Sequence, residues 1–322
     1  MDYSHISETE RRLIYDWRKE GLSLSEIARR LSRNKSSISR EVTRNSGQKG
    51  YRYKQAQRKA ETQAKRDGDR TFTDEMRQEI RKKILQGHTP EIIHGRALLE
   101  GRAMVSHERI YTFIYEDARQ GGELWRHLPR AKRKRRRRCP SDASRSRGQI
   151  INQRRIDLRP AIVEERSRVG DWEGDLIAGA AGTGHLVTLV ERKTLFTLTG
   201  KVNSKHAHLV KQQIGTLFDQ VPYEVRKTLT LDNGKEFALH EECAQENSID
   251  VYFAHPYHSW ERGTNENTNG LIRRLYPKKS SFAHIKGKEL LQIDRYVNDR
   301  PRKCLGWFTP REALYAELCA SG

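Results

Sequence analysis

The sequence lacks the features of membrane, secreted and disulfide-stabilised proteins. No apolar run approaches the roughly 18 residues that a membrane-spanning helix needs. The first ten residues lack the basic start and apolar stretch of a secretory signal. No two of the cysteines Cys139, Cys243, Cys304 and Cys319 have Cys-x-x-Cys spacing, so neither a disulfide framework nor a cysteine-built zinc site is indicated. We therefore expect a cytoplasmic protein with no membrane partner.

Positive charge is concentrated in the first half of the chain. Of 322 residues, 62 are Lys or Arg and 42 are Asp or Glu, which gives a net charge of +20. Residues 1–150 carry +17 of this charge and residues 151–322 carry +3. Because phosphate neutralisation supplies most non-specific DNA affinity, we interpret the first half as a polyanion-binding region. The alternative is a solvated basic surface.

Residues 1–54 have the pattern of three short helices. S-x-x-E capping boxes at 7–10 and 23–26 predict the first two helix starts, and Asn34 can cap the third. The outward residues of this third helix are basic or carry hydroxyl groups: Lys35, Ser36, Ser37, Arg40 and Arg44. This pattern favours a helix-turn-helix domain whose third helix enters the DNA major groove. Three-helix packing without DNA is the alternative.

Residues 55–128 predict a second, helix-turn-helix-like domain. A polar stretch, which we interpret as a linker or a solvated helix, precedes predicted helix starts near residues 73, 89 and 106. Arg109 and Thr112 on the last helix are candidate DNA contacts. Because Glu108 adds negative charge there, a purely structural three-helix unit is the alternative.

Residues 129–160 predict a basic linker. Eight of the nine residues at 130–138 are Lys or Arg, and such runs of like charge tend to be disordered until they meet an anion. We expect the linker to follow the DNA backbone, with Arg133 and Arg135 as phosphate contacts. A nuclear-import signal fits the composition but has no other support.

Residues 161–285 predict a mixed α/β sheet. Three apolar runs that can form a meander precede further strands that alternate with helices. Residues 286–322 are expected to form a C-terminal helical extension.

Three carboxylates occur where this sheet would bring side chains together. Asp175 lies in the first predicted strand, Asp232 ends the fourth, and Glu266 begins a helix after the fifth. Ligands of α/β sheets commonly bind at such strand ends, and carboxylate oxygens suit Mg²⁺. Asp171 and Glu173 share the strand parity of Asp175 and are open alternatives. By spacing alone, three solvated charges are also possible, because this half holds 22 acidic residues.

Four segments carry a more specific signature. They are W-E-G-D-L-I at 172–177, L-D-N-G-K-E-F at 231–237, P-Y-H-S-W-E-R-G-T-N-E-N-T-N-G-L-I-R-R at 256–274 and N-D-R-P-R-K-C-L-G-W-F-T-P at 298–310. With them, nearly the whole chain resembles the DDE transposases of the insertion sequence 30 family, relatives of retroviral integrases. Two features depart from this resemblance. The zinc-binding module of retroviral integrases is not visible, and residues 276–282 are less acidic than the family leads us to expect.

The resemblance implies a ribonuclease-H-like core in which Asp175, Asp232 and Glu266 bind two Mg²⁺ or Mn²⁺ ions, without a small-molecule cofactor. The W-x-x-D form shared with integrases favours Asp175 over its two neighbours. The implied activity is cleavage and joining of double-stranded DNA, both terminal inverted repeats and target DNA, in the bacterial nucleoid. Joining two ends implies a homodimer or a higher oligomer. Lys235 and Arg273 are candidate phosphate contacts near the active site.

Other functions and roles remain as alternatives. They are a ribonuclease-H-like nuclease without strand transfer and a helix-turn-helix regulator with an inactive core. A tyrosine recombinase is disfavoured, since residues 127–130 match its H-x-x-R pattern in form alone.

His255 and His258 are disfavoured as general bases, because a metal-activated nucleophile needs no imidazole. Loop packing or a phosphate contact is favoured for both.

Overall fold

The computed structural model describes residues 5–48, 50–129, 150–256 and 258–320. The chain divides into two compact units, Met1–Lys83 with Met104–Ile110 and Ile84–Ala103 with Tyr111–Gly322. None of the helices in the described part of the chain is long and apolar enough to cross a membrane. The five domain boundaries expected from the sequence stay a prediction.

The described residues ahead of the first strand form eight α-helices. They are α1 (Glu8–Lys19), α2 (Leu24–Arg30), α3 (Lys35–Asn45), α4 (Tyr53–Thr71), α5 (Asp74–Leu85), α6 (Pro90–Leu99), α7 (His107–Arg119) and α8 (Ile162–Glu165). The polar stretch before α5 is therefore a helix, the second of the two forms that its composition allowed.

The predicted helix-turn-helix is confirmed in the first unit. Glu10 N donates to Ser7 Oγ over 3.2 Å and Ser7 N donates to Glu10 Oε2 over 2.7 Å, which is the expected capping box of α1. Ile14, Ile27 and Ile38, one from each of α1, α2 and α3, are completely buried. Each such burial stabilises the fold by about 1.5–3 kcal/mol. The apolar core thereby fixes which face of α3 points to solvent.

A buried ion pair also connects α1 to α3. Arg11 Nε donates to Glu41 Oε1 over 2.8 Å, and Tyr51 Oη donates to the same oxygen over 3.2 Å. Both members of the pair are more than nine-tenths buried. Breaking such a pair leaves an uncompensated charge in the core, so the contact specifies how the two helices pack.

The second unit contains a five-stranded mixed sheet, which confirms the predicted α/β class. Its strands are β1 (Asp171–Ala178), β2 (His185–Glu191), β3 (Thr197–Val202), β4 (Thr228–Leu231) and β5 (Asp250–Phe253). Their order is β3-β2-β1-β4-β5. The first three strands form an antiparallel meander, while β4 is parallel to β1 and to β5. This order confirms the meander that the sequence predicts ahead of the strands that alternate with helices.

Helices cover both faces of the sheet. Those that follow β3 are α9 (Ala207–Phe218), α10 (His240–Asn247), α11 (Gly263–Leu275), α12 (Gly287–Asn298) and α13 (Pro310–Ala320). Trp172 of β1 belongs to one apolar cluster with Phe218, whereas Ile177 belongs to another with Ile272 of α11. Because side chains alternate along a strand, the odd-numbered residues of β1 face α11. Its three acidic residues are all on this face.

Candidate active site

The sheet register brings Asp175 and Asp232 together on the neighbouring strands β1 and β4. Glu173 of β1 is level with Thr230 of β4 in the parallel pair. Asp175 and Asp232 each lie two residues further along their chains, so they are level with one another. Two of the three carboxylates predicted from the sequence therefore meet just beyond the parallel pairing of β1 with β4, a place that we call the sheet edge.

A single arginine lies between these carboxylates. Arg262 Nη1 is 3.6 Å from Asp175 Oδ1, and Arg262 Nη2 is 3.5 Å from Asp232 Oδ2. The arginine side chain is 13% exposed, against 26% for Asp175 and 39% for Asp232. Burial raises the pKa of Asp175, as does the nearby Asp232, while Arg262 opposes both effects. The edge thus places two carboxylates around one shared cation.

Glu266 lies in the first turn of α11 and is exposed. Asn269, three residues later on the same helix surface, donates from Nδ2 to Asp175 Oδ2 over 2.6 Å. This face of α11 is therefore the one beside the aspartates. However, the carboxylate oxygens of Asp175, Asp232 and Glu266 are not among the groups of described residues whose ligand atoms all lie within 4.8 Å of one another.

Asp171 and Glu173 have different surroundings from Asp175. Arg168 donates to both oxygens of Asp171, over 2.9 and 3.0 Å. Glu173 Oε1 accepts from Arg192 Nη1 over 2.7 Å, and Glu173 Oε2 accepts from the backbone N of Asn265 over 3.0 Å. Both acids are almost completely buried, so their oxygens are already engaged by protein donors.

The predicted DNA contacts of the helical regions lie in varied surroundings. On α3, the Ser37 side chain is half-buried, while the other four residues are exposed: Lys35, Ser36, Arg40 and Arg44. On α7, Arg109 is half-buried and lies over the ring of Phe72 at 5.2 Å, and Thr112 is exposed. Arg133 and Arg135 lie outside the described residues. Their roles in DNA binding stay predictions.

The two predicted phosphate contacts of the core, Lys235 and Arg273, differ in their exposure and in their contacts with the protein. Lys235 is exposed three residues beyond Asp232, at the start of the 3₁₀ turn Lys235–Phe237. Arg273 instead donates from Nη2 to the backbone oxygen of Ala178 over 2.7 Å, and burial lowers its pKa. Arg273 therefore already has a structural contact at the end of β1.

Two residues of this site had no role in the sequence prediction. Asn269 could have been found, since it lies three residues after Glu266 and so shares its side of a helix. Arg262 could not be found by helical spacing, because it belongs to the 3₁₀ turn Ser259–Arg262 that precedes α11. Because this turn is not α-helical, α-helical spacing from Glu266 does not predict where the Arg262 side chain points.

Comparison with known proteins gives results for both parts of the chain. A model of a helix-turn-helix domain matches residues 2–45. The transposase for insertion sequence element IS4351 from Bacteroides fragilis is 42% identical over 311 residues, which cover 96% of this chain and 94% of the relative. The transposase InsI for element IS30A from Escherichia coli K12 is 35% identical over 320 residues, covering 97% and 83% respectively. Among solved structures, the catalytic core domain of BIV integrase is 18% identical with a TM-score of 0.37, covering 48% of this chain and 99% of that one.

Proposed function

The chain belongs to the insertion sequence 30 family of transposases, and from this premise we propose that it moves its own insertion element. It binds the terminal inverted repeats of the element, cuts DNA strands at their ends and joins the freed ends to target DNA. The observation that best supports cutting at this site is the meeting of Asp175 and Asp232 around one cation at the sheet edge. Such an edge attracts positive charge and offers it oxygen ligands.

Asp175, Asp232 and Glu266 are the residues that would hold two Mg²⁺ or Mn²⁺ ions. The chemistry of the donors fits, because hard divalent cations prefer carboxylate oxygens and the two aspartates already share one positive group. When bound, two such ions activate a water or a 3′-hydroxyl and stabilise the leaving oxygen of a phosphoryl displacement. Asn269 holds the orientation of Asp175 by donating to its Oδ2.

The helical regions and the basic linker grip double-stranded DNA. The outward residues of α3 lie where a helix-turn-helix reads the major groove, and the second helical domain extends this contact. Arg133, Arg135, Lys235 and Arg273 bind phosphates along the path to the active site. Because two element ends have to be joined in one reaction, the protein acts as a homodimer or a higher oligomer on DNA.

A cleavage assay on the natural DNA flanks of the gene tests the catalytic assignment. We expect the wild type to cleave a fragment carrying the terminal repeat and to transfer it in Mg²⁺ or Mn²⁺. Asp232→Asn and Glu266→Gln should abolish both steps while DNA binding is retained. Glu242→Gln is the matched control, because Glu242 is an acid of α10 that pairs with Lys211. Full cleavage by either site variant would remove that residue from the proposed ligands.

The products of the same assay separate the alternatives. A nuclease without strand transfer yields cut fragments and no joined ones, and a regulator with an inactive core binds the repeat without cutting it. Joined products that require both Asp232 and Glu266 contradict both alternatives.

Repeat recognition is tested on α3. We expect Arg40→Ala to weaken binding to the terminal repeat by about tenfold, the loss typical of one good base or phosphate contact. Arg12→Ala is the control, because Arg12 is an exposed residue of α1. If Arg40→Ala binds the terminal repeat with unchanged affinity, we would assign recognition of the repeat to the second helical domain.

A further inference from the structure

A second cluster of potential metal ligands lies in the loop after β5. His255, His258 and Glu261 each offer one ligand atom, and these atoms all lie within 4.8 Å of one another. The Nδ1 atoms of His255 and His258 are 3.0 and 3.3 Å from the same oxygen, Oε1 of Glu261. Donors that are about 2.0–2.1 Å from a tetrahedral zinc ion stand about 3.3 Å from each other. Two of the three donor separations, those from each histidine to Glu261, therefore already match the spacing of ligands around one ion.

Groups around the cluster fix the orientation of two of its members. His255 Nε2, the ring nitrogen that points away from the cluster, is 3.0 Å from Asp157 Oδ2. Glu261 Oε2, the oxygen that points away, accepts from the backbone N of His255 over 2.8 Å. Metal-binding histidines commonly donate their second ring nitrogen to a carboxylate, which sets the tautomer and the ring orientation. The same arrangement leaves His255 Nδ1 and Glu261 Oε1 facing inward together.

An ion-free network is the competing explanation. A protonated His255 between Asp157 and Glu261 would account for its own two contacts. His258 Nδ1 also converges on the same Glu261 oxygen. One divalent ion would satisfy all three ligand atoms at once, and zinc titration separates the two explanations. The side chains of all three residues retain some exposed surface, so an ion can enter from solvent.

We propose that His255, His258 and Glu261 form a binding site for one divalent ion of the zinc class, separate from the carboxylate site. Two imidazoles and one carboxylate form a ligand set that suits Zn²⁺, with a fourth position left for water. The Asp175 and Asp232 site offers oxygens instead, which suit Mg²⁺. The two sites thus select different ions by the softness of their ligands.

The consequence for the active site follows from chain connectivity. Glu261 and Arg262 are neighbours in the 3₁₀ turn Ser259–Arg262, and Arg262 lies between Asp175 and Asp232. An ion held by Glu261 fixes this turn to Asp157 and β5 through His255. The ion therefore positions Arg262 at the catalytic edge. This consequence rests on the proposed function, whereas ion binding itself does not.

Zinc titration of the full-length protein without DNA tests the site. The background is the double variant Asp232→Asn, Glu266→Gln, which weakens the carboxylate site. Competition with a chromophoric chelator should then give one Zn²⁺ per chain. Glu261→Gln and His258→Asn should each weaken zinc binding by at least about 100-fold. Asp157→Asn should weaken it by about 10–100-fold, which is typical for residues that hydrogen-bond to a metal ligand. Co²⁺ in place of Zn²⁺ should show the intense visible absorption of a tetrahedral site.

His208→Asn is the matched control, because it removes an exposed histidine that stacks on His206 elsewhere in the unit. Its zinc affinity should equal that of the background. Circular dichroism establishes that each variant is folded, and Asp157→Asn, outside the loop, provides a second test if Glu261→Gln does not fold. The proposal is overturned if zinc binding is absent, is unchanged by the folded cluster variants, or is lost in His208→Asn. Because no DNA is present, failure of strand transfer leaves this result unaffected.

Discussion

Acidic residues on one face of β1 occupy two different environments. At the start of the strand, Asp171 and Glu173 are buried, and each has its own arginine, Arg168 and Arg192. We call Asp171 and Glu173 the inner acids. Every oxygen of the two accepts a hydrogen bond from a protein donor. The inner acids therefore complete the core.

At the sheet edge, two carboxylates share one arginine. Asp175 and Asp232, here called the outer acids, both lie about 3.5 Å from Arg262, and both keep exposed surface. The two carboxylates therefore have one arginine between them, whereas each inner acid has its own. The number of cations for each carboxylate, rather than its position in the strand pattern, therefore separates a structural acid from a candidate metal ligand.

The largest expected effect comes from Asp175→Asn. We expect strand cleavage to fall by at least about 10³-fold, since metal ligation supplies several kcal/mol of transition-state stabilisation. Stability should not fall with it. Burial raises the pKa of Asp175 in the folded state, so its ionised form opposes folding at neutral pH. Asparagine lacks this unfavourable charge and should equal or exceed the wild type in urea unfolding.

The pH dependence provides the check on this variant. The contribution of Asp175 becomes less favourable as pH rises from its unfolded pKa through the raised folded value. Any stability advantage of Asp175→Asn should therefore be present at neutral pH and vanish in acid. A loss of several kcal/mol at pH 7 would instead place Asp175 with the inner acids.

The next largest effect is expected from Glu173→Gln. The change leaves Arg192, which is 4% exposed, without its buried counter-ion and with the mostly exposed Glu164 as its other carboxylate partner. Breaking a buried pair from one side should cost about 3 kcal/mol of unfolding free energy, measured in urea. Glu165→Gln, at an exposed site on α8, is the control. A loss below about 1 kcal/mol would show that the inner acids are not structural.

Patterns among neighbouring residues predict part of the fold and part of the candidate site from the sequence. The capping box of Ser7 and Glu10, the alternation in β1 and the position of Asp232 after an apolar run depend on neighbouring residues. These signals were sufficient for the helix-turn-helix and the α/β class, and they placed Asp232 at the end of an apolar strand.

The distinction between inner and outer acids could not be read in the same way. Arg192 reaches Glu173 from the turn after β2, and Arg262 reaches the edge from a turn that helical periodicity does not describe. Both contacts form when segments distant in sequence pack together. Strand parity therefore leaves the three acids of β1 equivalent, and only the W-x-x-D form favours Asp175, whereas the fold gives the acids different partners.

The smallest expected effect is on ion affinity, and it tests the shared arginine directly. Arg262→Gln removes the guanidinium that competes for the outer acids, so Mn²⁺ binding without DNA should tighten by about tenfold, or roughly 1.4 kcal/mol. Calorimetric titration measures the change, and Arg274→Gln, at an exposed position of α11, is the control. If Arg262→Gln leaves the affinity unchanged or weakens it, the arginine organises the edge instead of competing with the ion. The outer acids would then depend on a dedicated arginine just as the inner acids do.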